Sequence, residues 1–140
     1  MDEVIKIYTD GGARGNPGPS AGAFVVIDGD RIVHKESIFF GIQTNNVAEY
    51  EALIASLNWL NKNKQYSYGK NIVFYLDSEL VVKQLNGLYK IKNNNLKTLA
   101  TRVRKLYKDI GQNIIFKSVP REKNKLADSL LNEKLDEKLV

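Results

Sequence analysis

An α/β fold, a five-stranded mixed sheet flanked by helices, is what this 140-residue sequence predicts. Three observations carry that expectation. The N-terminal part holds three strand-like stretches punctuated by glycine turns, as an antiparallel meander requires. From Asn46 the apolar period becomes helical. Ile72-Val73-Phe74-Tyr75-Leu76 is apolar without alternation, the pattern of a strand covered on both faces.

Val4 to Thr9 alternates and ends at Asp10-Gly11-Gly12, a strand entering a turn. Gly11 to Gly22 is rich in glycine and proline and reads as a loop. Gly22 to Ile27 is the second strand, Asp28-Gly29-Asp30 a hairpin turn, and Arg31 to Phe40 the returning third strand. Asn46 to about Asn63 is a helix, with Leu53, Leu57 and Leu60 at i, i+4, i+7 and Trp59 beside them. Ser67 to Asn71 breaks the pattern before the fourth strand, Ile72 to Leu76. Ser78 to about Leu85 is a short helix stopped by Asn86-Gly87. Leu96 to Asp109 is a basic helix with Leu99, Val103, Leu106 and Ile110 as its buried stripe. Ile114 to Val119 is the fifth strand, closed by Pro120, and Asn124 caps a last helix through about Leu139. No repeat, low-complexity tract or linker divides the chain, so one domain over 1–140 is expected.

Cysteine is absent, which excludes disulfides, zinc knuckles and thiol nucleophiles and suits a reducing compartment. The apolar runs reach five or six residues, against the roughly 20 of a membrane span. Met1-Asp2-Glu3 is acidic and is no secretory signal. A soluble, cytoplasmic, monomeric domain is expected. Net charge is +5, distributed unevenly. Lys83 to Lys117 holds nine basic residues against Asp109 alone, a local +8 that leaves −3 elsewhere. That asymmetry suits a polyanion partner such as nucleic acid, or else a solvated lysine-rich helix face.

Four acids occupy positions that solubility does not explain. Asp10 ends the first strand and Asp77 the fourth, while Glu49 and Asp128 lie in the first turns of the long and last helices. Each also has a structural reading: a turn former at Asp10, an N-cap at Asp77, and favourable helix-dipole charges at Glu49 and Asp128. Facing argues against the last pair. Glu49 shares a helical face with Leu53, Ser56 and Leu60, and Asp128 with Leu131 and Leu135. Both carboxylates therefore point toward the sheet, where an unpaired charge is costly. With no Lys or Arg on those stripes, hard divalent cations such as Mg²⁺ are the expected counter-charge. Four carboxylates meeting in one cleft could hold two ions on either side of a phosphate. The loop Gly11 to Gly18 is no P-loop, since no Gly-Lys-Ser/Thr follows. It offers close backbone approach, Arg14 and Asn16. Thr44-Asn45-Asn46 adds two amides suited to reading 2′-hydroxyls, with N-capping as the other role of Asn46.

Tyr8-Thr9-Asp10-Gly11-Gly12, Gly15-Asn16-Pro17-Gly18, Thr44-Asn45-Asn46 with Glu49, Asp77-Ser78, and Asp128 together resemble the type I ribonuclease H family. The match runs in register from Ile5 to about Leu135. The resemblance implies the ribonuclease H-like fold and endonucleolytic cleavage of the RNA strand of RNA–DNA hybrids. It also implies two Mg²⁺ or Mn²⁺ ions and products with a 5′-phosphate and a 3′-hydroxyl. Asp10, Glu49, Asp77 and Asp128 then correspond to the metal-binding tetrad. Asn16 and Asn46 correspond to hybrid-contacting residues, with Gly15 beside them; Arg14, Thr44 and Asn45 are candidate substrate contacts by their place in the same blocks.

Three departures stand out. Related enzymes often carry a histidine in the loop before the last carboxylate, and Ser118 to Asn124 has none. Arg121 is the candidate replacement, through phosphate contact or product release, while His34 reads as structural. The basic handle that some members insert is missing from Asn86 to Asn95, and Glu79 stands where glutamine is common. The rival readings are a non-catalytic binder of hybrid or double-stranded RNA, and another nuclease of the same superfold such as a resolvase or exonuclease. Double-stranded RNA is a second candidate partner.

Overall fold

The computed structural model describes residues 4–139, so the expectation at Met1-Asp2-Glu3 lies outside the described residues. Five strands, β1 (Val4–Ala13), β2 (Gly18–Asp28), β3 (Arg31–Gln43), β4 (Asn71–Leu76) and β5 (Ile114–Ser118), form one sheet in the order β3-β2-β1-β4-β5. β1, β2 and β3 pair antiparallel, whereas β4 runs parallel to β1 and β5 parallel to β4. Helices α1 (Asn45–Lys62), α2 (Glu79–Leu85), α3 (Asn94–Ile110) and α4 (Lys125–Lys138) supply the connections and the two covering layers. This is the expected mixed α/β architecture. Among the described residues, no helix is long and apolar enough to cross a membrane.

Strand alternation decides which side chains meet which layer. Ile5, Ile7, Phe24, Val26, Ile72, Phe74, Leu76 and Phe116 point to one face, where Leu53, Leu57 and Leu60 of α1 and Leu99 and Val103 of α3 cover them. Fully burying each such side chain stabilises by roughly 1.5–3 kcal/mol. The other face uses small residues: Ala21 and Ala23 admit Leu131 and Leu135 of α4.

The glycine-rich stretch departs from expectation. β1 continues through Ala13 and β2 begins at Gly18, with Gly11 opposite Gly22, Gly12 opposite Ala21 and Ala13 opposite Ser20. What composition marks as a loop is a hairpin whose turn spans only Arg14–Pro17. Gly11 and Gly22 serve interlayer packing. A Cβ on Gly11 would collide with the Ala48 carbonyl and lie 2.6 Å from the Glu49 nitrogen. One on Gly22 would lie 2.7 Å from both Ala52 Cβ and the Phe40 ring. Side chains at either position would push α1 off the sheet.

Helix ends shift by a residue or two for identifiable reasons. Thr44, not Asn46, caps α1, its Oγ1 accepting from Val47 N at 3.2 Å. Ser78, not Asp77, caps α2 by accepting from Val81 N. Asn93 caps α3, which therefore starts two residues before Leu96. Asn124 precedes α4 but makes no side-chain cap; its Nδ2 donates to the Thr9 carbonyl of β1 at 2.8 Å.

Gly11→Ala should cost about 1–3 kcal/mol or more in urea unfolding, because backbone rather than a movable side chain opposes the new methyl. Gly12→Ala meets nothing nearer than Asn45 Oδ1 at 3.7 Å, so it should stay within about 0.5 kcal/mol of the parent. Equal losses at the two sites would show that α1 does not set the constraint.

Candidate active site

β1 and β4 run parallel with Thr9 opposite Leu76. The next residue of each strand, Asp10 and Asp77, therefore emerges at the same end of the sheet. Glu49 reaches this point from α1, its Oε1 accepting from Gly11 N at 3.2 Å, a contact that the missing Cβ of Gly11 permits. One carboxylate oxygen from each of Asp10, Glu49 and Asp77 lies within 4.8 Å of the other two. Asp128, in the first turn of α4, lines the same cleft of about 520 Å³ but stands outside this cluster. All four acids singled out in the sequence thus share one cleft. One detail is corrected: α1 begins at Asn45, so Glu49 lies in its second turn and a helix-dipole role does not apply.

Crowding raises the proton affinity of these groups. Burial, with Asp77 and Asp128 nearby, pushes Asp10 up to about 7. Glu49 is raised well above its ordinary value by burial and by the negative charges of Asp10 and Asp77. Asp77 is raised by burial, against the pull of the Arg121 guanidinium and a hydrogen bond with Asn124. Glu49 Oε2 and Asp77 Oδ2 are buried without a hydrogen-bond partner. Unpaired oxygens converging in an all-carboxylate set fit a hard divalent ion such as Mg²⁺ or Mn²⁺, which takes oxygen ligands and would supply the missing positive charge.

The family model described as reverse transcriptase-like matches residues 8–134. LC11-RNase H1, solved in complex with an RNA/DNA hybrid, superposes with a TM-score of 0.92 at 41% identity, covering 97% of this chain and 99% of that one. RNase H1 of the halophilic archaeon Halobacterium salinarum superposes with a TM-score of 0.87 at 38% identity, covering 96% and 98%. This chain belongs to the type I ribonuclease H family. The curated ribonuclease HI of Halobacterium salinarum is 39% identical over 95% of this chain, and a bifunctional protein of Mycobacterium tuberculosis 36% identical over 94%. The chain spans 65% and 35% of the lengths of those two curated relatives.

The other ribonuclease H positions singled out in the sequence fall into two groups. Asn46 and Arg121 line the cleft, as do Arg14 and Asn45. Gly15, Asn16 and Thr44 do not line it; they build the ground beneath. Asn16 Oδ1 accepts from Asn45 N at 3.0 Å, and Asn45 Oδ1 accepts from Ala13 N at 2.8 Å, tying the hairpin to the start of α1. Thr44 is the cap of that helix, and Gly15 takes a positive φ of 89° in the turn. Arg14 is bound to α4 through Asn132 and Asp136. His34 lies on β3, stacked on Trp59 at 4.7 Å, the structural place expected for it. Glu79 is exposed and paired with Lys83 at 2.7 Å.

Two residues at the site went unnoticed in the sequence. Asn124 reads in the sequence only as a cap, yet its Nδ2 donates to the Thr9 carbonyl and its amide helps hold down the Asp77 carboxyl. Asn132 contacts Asp128. Both stand four positions from Asp128, one helical turn on either side, and that spacing was the available signal.

The raised groups fix a sign for pH. A carboxyl at about 7 in the fold and 3.8 in the open chain contributes stability that is complete below 3.8 and is lost as pH rises through about 7. Ion-free protein in chelator should therefore lose unfolding free energy from this group between pH 5 and pH 8. Mg²⁺ or Mn²⁺ should restore more at pH 8, where protons no longer compete for the same oxygens. A divalent-ion increment of equal size at both pH values would contradict this.

Proposed function

We propose that this protein is an endonuclease hydrolysing the RNA strand of RNA–DNA hybrids with two divalent ions, leaving 5′-phosphate and 3′-hydroxyl ends. The observation that carries the reading is the meeting of Asp10, Glu49 and Asp77 with unpaired oxygens. Membership in a family whose LC11 enzyme was solved with an RNA/DNA hybrid supports the substrate class. A non-catalytic binder has no use for buried negative charge facing a polyanion, and it would relieve the repulsion by losing an acid.

Asp10, Glu49, Asp77 and Asp128 would hold the ions. The chemistry that bound divalent ions supply is activation of a water at neutral pH and charge compensation at the leaving 3′-oxygen. The remaining groups serve the substrate. Asn46, on the rim beside Glu49, offers an amide to sugar hydroxyls, and the Asn16–Asn45 tie holds that rim in place. Arg121 beside Asp77 adds a permanent positive charge where a phosphate would enter. Contacts to backbone and sugar predict little sequence preference, with 2′-hydroxyls on one strand and groove shape on the other setting hybrid choice. We place the activity in a cytoplasmic monomer, with double-stranded RNA as a second candidate partner.

The basic segment divides. Arg102 pairs with Glu51 of α1 at 3.6 Å, which makes it a tie between helices. Lys90, Lys97 and Arg104 instead share a shallow pocket with Tyr89. That combination of cations and an exposed ring suits a nucleic-acid backbone.

Asp10→Asn should abolish hybrid cleavage with Mg²⁺ while the folded spectrum is kept. The assay is a panel of hybrid, double-stranded RNA, single-stranded RNA and duplex DNA, each with and without the ion. Wild-type turnover by that variant, or no ion-dependent preference for hybrid in the parent, would sink the proposal. Neutralising Lys97 and Arg104 together should lower the slope of log K against log salt by about 2, while neutralising Arg102 alone changes it little. An unchanged slope in the double variant would leave those two charges as a solvated helix face.

A further inference from the structure

Arg14 was expected to face substrate. Its guanidinium turns instead toward α4, with Nη2 2.7 Å from Asp136 Oδ1 and donating to the Asn132 carbonyl at 3.3 Å and to Asn132 Oδ1 at 3.4 Å. The amide end of Asn132 points the other way. Its Nδ2 donates to the Asp128 carbonyl at 3.0 Å and to Asp128 Oδ1 at 3.3 Å. Asp128 stands outside the tight three-carboxylate cluster, although close enough to Asp10 to raise that group's proton affinity.

We propose that Asn132 and Arg14 are positioning residues that orient Asp128 toward the cleft. The assignment rests on reading Asp128 as an ion-holding carboxylate. Donor chemistry makes the relay directional. Arginine carries only donors, so it selects the oxygen of the Asn132 amide. The NH₂ group is then left to donate to the Asp128 carboxylate oxygen. One helical turn separates Asp128 from Asn132, so helix geometry brings the amide beside the carboxylate without help from loops. The Arg14–Asp136 pair is exposed on the Asp136 side, at 69%. Such a pair adds little to stability, and its effect lies in holding the guanidinium in place. The relay also joins the β1–β2 hairpin to α4 across 118 residues of chain, connecting the rim that would meet substrate to the fourth acid.

The test uses the full chain. Free Mn²⁺ is followed by electron paramagnetic resonance without nucleic acid, and steady-state cleavage of hybrid is measured in parallel. Asp128→Asn defines the part of Mn²⁺ binding that depends on Asp128. Asn132→Ala, Asn132→Asp and Arg14→Ala should weaken that part, and kcat with it, by about tenfold to about a hundredfold, the usual cost of removing support behind a ligand. KM for hybrid should stay within about twofold. The salt slope of hybrid binding should not change in Arg14→Ala, whereas a lost phosphate contact would reduce it by about 1. Asn132→Asp keeps a near-isosteric side chain and a partner for Arg14, so its loss cannot be blamed on packing. Mn²⁺ binding unchanged in all three variants, or a raised KM with a reduced salt slope in Arg14→Ala, would overturn the proposal. Failure of the parent to cleave hybrid would remove the nuclease reading alone, since the Mn²⁺ titration reports on Asp128 without substrate.

Discussion

Negative charge packed at the ends of β1 and β4 is the constraint around which the rest of the molecule is arranged. Three carboxylates with oxygens within 4.8 Å of one another repel, and burial strips away the water that would screen them. The fold tolerates this by raising the proton affinity of the acids when no cation is bound, and by support from the neighbouring backbone. Gly11 lets α1 approach β1 closely enough for Glu49 to accept from the strand backbone. Asn124 anchors the start of α4 to Thr9. A cation that enters therefore finds ligands already assembled, and the free energy withheld from folding becomes available to binding.

The same logic separates this cleft from the other large concavity. A groove of about 480 Å³ lies between α2, α3 and β5, lined by Leu85, Val103, Tyr107, Ile114 and Phe116. It is similar in size to the acid cleft yet holds no carboxylate. Its polar contacts have a structural use: Tyr107 Oη and Asn86 Nδ2 donate to the Ile114 and Phe116 carbonyls. Those oxygens belong to the edge strand β5, and covering them blunts a strand that could otherwise pair with another chain. Size alone does not locate chemistry; unsatisfied charge does.

How far the sequence revealed this depends on the range of the interaction. Asp10, Glu49, Asp77 and Asp128 were legible because each lies on an element whose apolar face can be read locally, and a carboxylate on that face demands an explanation. The hairpin through Gly11–Gly22 reads as a loop because Gly11 and Gly22 answer to α1, far away in the chain, while composition registers only flexibility. Thr44 lost the cap to Asn46 in the sequence reading because both are good cappers, and the choice depends on where the chain turns after β3. Arg14 reads as a substrate contact because its partners, Asn132 and Asp136, lie at the far end of the chain, beyond any local pattern.

The turn before α4 shows how one residue type alters what a site can do. The segment Ser118 to Asn124 holds no histidine but does hold Arg121, close enough to draw the Asp77 carboxyl downward against burial. Histidine titrates near neutral pH and can both give and take a proton. Arginine stays charged throughout the working range and has only donors, so it can attract an anion or hold one in place but cannot accept a proton. Any group that must change protonation during turnover therefore lies outside this turn, and Asp10, raised to about 7 in the ion-free cluster, would give up its proton on taking an ion. What is left to a fixed charge at this turn is to draw an anion toward the acids and hold it there.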